Sequence, residues 1–329
     1  ASLQPHAPRS SHPVGLIPLM RRLLLSLHLL LAGVFAQDGI TPSQSETVTT
    51  LVDTRIKESS GLARSMRHEG IFWTMNDSGG EPCVFAIDLK GRTRAKVRVA
   101  DAVNFDWEDL ASGLDEQKQP VLYIGDIGDN FHARPTVQIY RIPEPEIAAE
   151  GAEVPETISA ASIHWHVTYP GGPRNAEGLL VHPQTRRLHI LSKSADGHSG
   201  LFAFPEGLDV LSVADHGREN QNKPVQLEKL ADVTFIGYER TGKRPSDDRQ
   251  CTGAAFSPDG TRLVASTYSS LFEWRLPGGK PTAEALAAKP VRLVPDLLRQ
   301  LEAVTYDADG RTLWLTSEHL PTPLVRVRR

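Results

Sequence analysis

Short apolar runs alternate with polar turns along most of the chain. From about residue 46 onwards these runs are rich in Val, Ile and Leu, and Gly, Pro, Asp and Asn bound them. Runs of this length and composition are typical of β-strands rather than of helices. The 26 glycines and 24 prolines among the 329 residues also favour frequent turns. The sequence therefore predicts an all-β fold built from many short strands.

A six-residue sequence motif, here called a phrase, recurs at the start of five successive groups of β-type runs. The phrases begin at Glu58, Trp107, Ala176, Cys251 and Leu301. Four of them carry a glutamate at the same place in the repeat, and these are Glu58, Glu108, Glu177 and Glu302. The phrase that begins at Cys251 has Thr252 instead. Repetition on this scale indicates a repeat architecture.

Each phrase opens a group of β-type runs that we interpret as one blade of a β-propeller. The first group has runs at residues 60–64, 70–76, 84–89 and 94–100. The last group has only three runs, and the run at residues 47–52 belongs to no other group. We expect that N-terminal run to supply the missing strand and close the ring, because closure protects strand edges. The prediction is a five-bladed β-propeller over residues 46–329.

A sixth blade is the alternative architecture. The stretch from residue 206 to residue 250 is long for a connection and has room for part of one more blade. Its polar segment at residues 209–223 favours an excursion from the third blade instead.

The N-terminal residues have the composition of a secretory signal. Met20 and two arginines precede an apolar stretch at residues 23–31, and small residues precede a cleavage point after Ala36. We expect a signal peptide at residues 20–36 and a linker at residues 37–45. Residues 1–19 precede the expected start at Met20, and we interpret them as the product of a gene prediction that begins too far upstream. The apolar stretch is short for a bilayer span. The expected location is secreted or periplasmic, with no membrane span after signal cleavage.

The charge balance bears on the partner class. Cleavage after Ala36 removes three arginines, which leaves 33 basic and 40 acidic residues and a net charge of −7. An acidic protein without a basic stripe is not expected to bind nucleic acid. A small-molecule or extracellular ligand of unknown identity is the expected partner.

The sequence contains two cysteines, Cys83 and Cys251. An oxidising compartment permits a disulfide between them. They lie in different blades of the predicted ring, so we favour two small buried hydrophobic residues over a bridge.

The predicted topology gathers acidic residues at one end of the propeller channel. Inner strands line the channel, and the repeated glutamates lie at the head of these strands. Several carboxylates held together repel one another, and a bound cation relieves that repulsion. Oxygen ligands without clustered His or Cys suit a hard divalent ion, and calcium is the natural extracellular choice. The predicted metal ligands are Glu58, Glu108, Glu177 and Glu302.

The loops beside these strand heads should form the rim of the site. The predicted ligand-binding rim residues are Asp77, Asp126, Asp129, Asn130 and Lys193. The alternative for the loop acids is a structural role, in which each caps nearby backbone N–H groups. Catalytic residues are not assigned, because the chain has no Ser/His/Asp elbow, phosphate-binding Gly loop or zinc signature.

Four segments in the first two predicted blades are distinctive, and they begin with Glu58-Ser-Ser-Gly, Phe72-Trp-Thr-Met-Asn-Asp, Asp106-Trp-Glu-Asp and Leu122-Tyr-Ile-Gly-Asp-Ile-Gly-Asp-Asn. Together they resemble segments of secreted bacterial β-propeller proteins and, more loosely, of the SdiA-regulated propeller family. A five-bladed ring with inner-strand glutamates is also distantly similar to the calcium-activated apyrases. That resemblance implies a central calcium ion and nucleotide hydrolysis, with the four repeated glutamates at metal-site positions. Thr252 departs from the pattern.

Three functions follow from these observations. The leading hypothesis is an exported propeller that binds a divalent cation and a ligand at its acidic channel mouth. The second is a calcium-dependent hydrolase of phosphate esters or anhydrides, in which the ion polarises a phosphoryl oxygen. The third is an adhesion or scaffold propeller without catalysis, whose acidic ring is structural.

Overall fold

Five small β-sheets make up the described part of the chain. A computed structural model of the protein describes residues 40–41, 43–154, 156–214, 223–237, 247–295, 300–318 and 320–328. The expected signal peptide, the segment before it and residues 37–39 and 42 of the expected linker lie outside these residues. No helix within the described ranges is both long and apolar enough to cross a membrane.

The sheets are arranged as a five-bladed β-propeller, as the sequence predicts. Blade 1 contains β3 (Ser59–Arg64), β4 (Ile71–Asn76), β5 (Cys83–Asp88) and β6 (Thr93–Ala100). Blade 2 contains β7 (Trp107–Leu114), β8 (Pro120–Asp126), β9 (Val137–Pro143) and β11 (Ile163–Thr168). Blade 3 contains β12 (Ala176–Val181), β13 (Leu188–Ser192), β14 (His198–Ala203) and β16 (Glu228–Thr234).

The last two blades complete the ring. Blade 4 contains β17 (Cys251–Phe256), β18 (Arg262–Thr267), β19 (Leu271–Arg275) and β20 (Val291–Leu293). Blade 5 contains β21 (Leu301–Tyr306), β22 (Leu313–Ser317), β23 (Pro323–Arg328) and the N-terminal β2 (Gln44–Thr50). Strand β2 pairs antiparallel with β23, with Gln44 opposite Arg328 and Thr47 opposite Val325. The predicted closure of the ring by an N-terminal strand is thereby confirmed.

Three short strands extend blades beyond the four strands that the sequence indicates. They are β1 (Ile40–Thr41), β10 (Glu156–Ala161) and β15 (Val225–Gln226), which pair parallel with β20, β6 and β11. Each covers an outer edge that would otherwise present unpaired backbone groups. The described parts of residues 206–250 contain only β15, β16 and two short 3₁₀ turns, Val210–Val213 and Asp247–Arg249. Both strands join existing sheets, so this stretch contributes to blades 2 and 3.

The core lies between neighbouring blades. Five clusters of buried apolar residues occupy the five junctions between adjacent sheets. The largest buried side chains include Trp73, Trp107, Trp165 and Trp274, each 2 % exposed or less. Burial of one such aromatic side chain stabilises the fold by about 1.5–3 kcal/mol. Because these side chains lie between adjacent sheets, their packing holds neighbouring blades together.

The two cysteines lie in two different junctions. Cys83 packs between blades 5 and 1, and Cys251 packs between blades 3 and 4. Both are buried free thiols, as the sequence interpretation favours. Burial raises the pKa of Cys83 to about 11 and that of Cys251 above its usual range, so both stay protonated at neutral pH.

Candidate functional site at the channel mouth

Each inner strand has an irregular register at its head. In blades 2 to 5 the pairing of the inner strand with its neighbour skips one residue. The skipped residues are Glu108, Glu177, Thr252 and Glu302. A β-bulge of this kind re-aims the side chain of the unpaired residue. The repeated position of the sequence is therefore a repeated bulge, and three of its four side chains here are buried carboxylates.

Blade 1 departs from this pattern, which the comparison of the five repeated motifs did not show. Its register shift lies between Ser59 and Leu62, so Ser60 takes the place of the bulged glutamates. The hydroxyl of Ser60 donates to the carbonyl oxygen of Glu108 at 2.7 Å. Glu58 lies two residues earlier, is exposed, and forms a backbone bridge with Glu318 of blade 5. It therefore stands at the edge of the mouth rather than in the ring of bulges.

The closest group of acids lies where blades 1 and 2 meet. Asp77, Asp106 and Glu108 each offer a carboxylate oxygen, and these three atoms lie within 4.8 Å of one another. Glu108 is 4 % exposed, and the two aspartates are half-buried. Gly128 lies directly against this group, because a Cβ at that position would fall 2.5 Å from Oδ2 of Asp106. Glycine at this point lets the backbone approach the carboxylates closely.

Burial and mutual repulsion raise the pKa values of these three acids. Burial, with the charges of Asp77 and other nearby acids, raises the pKa of Asp106 to about 6. Burial and the neighbouring charge of Glu177 raise the pKa of Glu108 well above its ordinary value. The pKa of Asp77 is raised by burial and by the charge of Glu58. Raised pKa values of this origin mark a site where a cation would stabilise the ionised acids.

Lys193 supplies a positive charge inside the mouth. Its ammonium group donates to a carboxylate oxygen of Glu177 and, at 2.8 Å, to the hydroxyl of Tyr268. The same ammonium lies 4.9 Å from the centre of the Tyr268 ring. Burial raises the pKa of Glu177 to about 7, and the ammonium of Lys193 opposes that increase. Glu177 is thus neutralised from within the protein.

Glu302 completes the buried carboxylates of the ring. Burial and the charges of Glu177 and Glu318 raise its pKa well above the ordinary value. Gln300 donates a hydrogen bond to a carboxylate oxygen of Glu318, which ties this end of blade 5 to the mouth. The charge of Glu177 thus acts on both Glu108 and Glu302, and all three carboxylates stand at the heads of inner strands.

The predicted rim acids are held by the loop that follows β8. Asp126 pairs with Arg134 at 2.7 Å and accepts from the backbone N–H groups of residues 105 and 106. Asp129 accepts from the backbone N–H groups of residues 133 and 134, at 2.8 and 2.9 Å. Asn130 is exposed, and its side chain accepts from the amide of Asn175. Both aspartates thus shape the loop, and that loop carries Gly128 against the acid cluster.

One more buried acid connects three blades below the mouth. The carboxylate of Asp109 accepts backbone N–H groups from Leu110 in blade 2, Leu179 in blade 3 and Ala254 in blade 4, at 2.7, 2.8 and 3.4 Å. The side chain is 1 % exposed. Burial raises its pKa well above the ordinary value, although the three N–H donors favour the ionised form. Asp109 therefore holds inner strands together.

Asp106 and Asp109 are residues that the sequence analysis did not assign to the site. Asp106 was visible in the sequence only as one more acid two positions before Glu108, at a bend that precedes β7. Asp109 gave no such signal, because its backbone partners in blades 3 and 4 are far away in sequence.

A second group of ligand-type side chains lies on the outside of blade 1. Glu81, Cys83 and Glu156 converge there. The ammonium of Lys96 lies 2.6 Å from Glu81 and 2.5 Å from Glu156, so the protein's own cation occupies this group. Of these two groups of ligand-type side chains in the described part of the chain, only the one at the mouth has no basic side chain bonded to it. Comparison of the chain with known protein families and with characterised proteins gave no match.

Proposed function

We propose that this propeller binds a divalent cation at Asp77, Asp106 and Glu108 and presents it to a ligand from solvent. The observation that carries the proposal is the convergence of three carboxylate oxygens within 4.8 Å. No basic side chain among the described residues forms a hydrogen bond or ion pair with these three acids. A divalent ion would relieve their repulsion where the protein does not.

The chemistry of the donors favours calcium. All three side chains offer oxygen, and calcium takes six to eight oxygen ligands in flexible geometry. Three carboxylates leave several coordination positions for water or for an oxygen-rich ligand. The expected export of the protein would also place it where calcium is abundant. Of the four glutamates that the sequence predicts as ligands, Glu108 lies in the proposed site, Glu177 and Glu302 line the ring beside it, and Glu58 lies at its edge.

Two exposed aromatic residues lie in the loops that carry the proposed site. Phe105 and Phe131 are 65 % and 93 % exposed, and they flank the loops that carry Asp106 and Gly128. The guanidinium of Arg134 lies 4.7 Å from the centre of the Phe105 ring, which holds that ring at the rim. A ligand with a flat apolar face and an oxygen donor would fit such a mouth.

We place ligand binding ahead of hydrolysis. A hydrolase needs, beside the ion, a base that is free to take a proton from water. Glu177 is the acid whose charge acts most strongly on Glu108, and it is held in an ion pair with Lys193. Phosphate release from a panel of nucleotides and phosphoesters tests the alternative, and calcium-dependent turnover that Glu108→Gln abolishes would favour a hydrolase.

A thermal-melt titration tests the cation site. The protein, stripped with a chelator, should gain melting temperature as calcium is added, because an ion that binds only the folded state stabilises it. Asp106→Asn should lose that gain. Asp101→Asn is the matched control, because Asp101 is exposed and its side chain makes no hydrogen bond to any residue that the structure describes. A calcium response that is absent from the unmodified protein, or equal in Asp106→Asn, would refute the site.

Export is a separate part of the proposal. Fractionation of the producing cells should find the protein outside the cytoplasm, and its N-terminal residue should be Gln37. A cytoplasmic protein that retains residues 20–36 would contradict it.

A further inference from the structure

The loop between β11 and β12 holds two polar groups without partners. It covers residues 169–175 and reaches the mouth face, since it leads from the outer strand of blade 2 to the inner strand of blade 3. The hydroxyl of Tyr169 is buried and makes no hydrogen bond. The Nε–H of Arg174 is likewise buried and makes none. Buried polar groups are nearly always paired, so two orphans in one loop require an explanation.

Both groups pack against Phe202. The Tyr169 ring packs edge-on against the Phe202 ring, with ring centres 5.0 Å apart. The guanidinium of Arg174 lies over the Phe202 ring, 5.5 Å from its centre. Tyr169 is 6 % exposed and Arg174 is half-buried. Phe202 therefore supports both the phenol and the guanidinium, and the charge of Arg174 acts on the Tyr169 hydroxyl.

Arg174 has no acid to neutralise it. The guanidinium forms no ion pair with any residue that the structure describes, and the carboxylate of Asp129 is bonded to the backbone of its own loop. The neighbouring Asn175 is fully engaged, because its side chain accepts from the N–H of Asp129 at 2.7 Å and donates to Asn130 at 3.0 Å. The loop is thus anchored to the rim, while its positive charge remains available.

We propose that Tyr169 and Arg174 form an oxyanion-binding subsite on the side of the mouth where blades 2 and 3 meet. The Nε–H of Arg174 and the hydroxyl of Tyr169 would each donate to an oxygen of a phosphate or carboxylate group. Burial raises the pKa of Tyr169 above its usual range, so its hydroxyl keeps the proton that it would donate. Arginine matches such anions because its N–H groups are fixed in one plane.

This subsite does not depend on the proposed cation. Its two donor residues are distinct from the three proposed cation ligands, and the loop from residue 127 to residue 130 is bonded to Asn175 beside it. The subsite would bind a phosphate or carboxylate group of the ligand. The expected ligands of the mouth are therefore molecules that carry an acidic group.

Phosphate binding in the presence of a chelator tests the subsite without the cation. The experiment measures phosphate affinity by calorimetry and by melting temperature, at constant ionic strength with chloride as the reference salt. Arg174→Gln should weaken phosphate binding at least about tenfold, because it removes a charged donor. Arg275→Gln, at an exposed arginine on the opposite face, is the matched control and should bind phosphate normally. A parallel titration with acetate distinguishes phosphate from carboxylate selectivity.

Tyr169→Phe keeps the test decisive if Arg174→Gln folds poorly. It removes one oxygen that has no partner, so the melting temperature without phosphate should not fall. Phosphate binding should weaken about three- to tenfold. The proposal is overturned if phosphate does not bind the unmodified protein, or if both variants bind it equally well. A large loss of stability in Tyr169→Phe without phosphate would also overturn it, since the hydroxyl would then already have a partner.

Discussion

A Cβ atom at Gly128 would lie 2.5 Å from Cγ of Asp106. The loop after β8 and the head of β7 are therefore in contact through a position that admits only glycine. The backbone at residue 128 thus lies directly against two of the three acids of the cluster, Asp106 and Glu108.

Gly128→Ala should disturb the acid cluster. The added methyl group must displace the carboxylates of Asp106 and Glu108, and overpacking of this kind costs about 1–3 kcal/mol. Chemical denaturation should show that loss, and the calcium-induced rise in melting temperature should shrink. Gly79→Ala is a useful control, because Gly79 also lies at the mouth and a Cβ there would meet nothing within 4 Å. Its positive φ of 74° costs some stability by itself, but its calcium response should persist.

The pH dependence of stability should report the raised pKa values of the mouth. Asp106 has a pKa of about 6 and Glu177 a pKa of about 7, above the values of 3.8 and 4.5 for the unfolded chain. Between about pH 4 and pH 7 the folded state therefore binds more protons than the unfolded state. The contribution of these groups to the free energy of unfolding should fall as pH rises through that range.

Calcium should reverse that fall. The ion binds the ionised carboxylates, so its stabilising effect should be small at pH 5 and largest at pH 8. Melting temperatures measured at pH 5, 6, 7 and 8, with chelator and with calcium, test both statements. A calcium effect of equal size at every pH would contradict the involvement of acids with raised pKa values.

Lys193→Gln should strengthen cation binding. Its ammonium opposes the raised pKa values of Glu177, Glu108 and Glu302, so removing it makes the mouth more negative once the acids are ionised. At pH 8 the chelated variant should melt at a lower temperature, because Glu177 loses its partner. The gain on adding calcium should exceed that of the unmodified protein. Lys90→Gln, at an exposed surface pair, should change neither quantity.

Asp109→Asn should destabilise the whole ring rather than the site alone. An amide oxygen can replace only part of the three backbone hydrogen bonds, and its NH₂ group would face other N–H donors. The expected loss is about 2–4 kcal/mol in the free energy of unfolding. Denaturant unfolding checks it, with Asp101→Asn as the neutral control. A loss below about 0.5 kcal/mol would show that Asp109 is not a link between blades.

The two thiols should remain free without added reductant. Cys83 and Cys251 lie in separate blade junctions, so a bridge would require both blades to move. Thiol titration should find two reactive groups after denaturation and close to none in the folded protein. A single oxidised pair in freshly purified protein would contradict the structure.

The sequence by itself predicted five blades and closure of the ring by an N-terminal strand, with a sixth blade as the alternative. Short apolar runs bounded by turn residues repeat five times, and local propensity locates most of them. The sequence also placed Glu58, Glu108, Glu177 and Glu302 at one repeated position, and the structure keeps the last three there. It missed β1 and β10 and did not place β15 in blade 2, since short pairings at sheet edges leave little apolar signal.

Only the tertiary structure decided which of these acids lie together. The repeated position proved to be a bulge, and the different register in blade 1 puts Ser60 in the ring and leaves Glu58 at the edge. Asp106 joined the cluster with Asp77 because loops from blades 1 and 2 meet above the channel, whereas Lys193 bonds to Glu177 within blade 3. Distances between such side chains depend on how blades pack and where each ladder slips by one residue. Neither quantity is local, so no run of residues encodes it on its own.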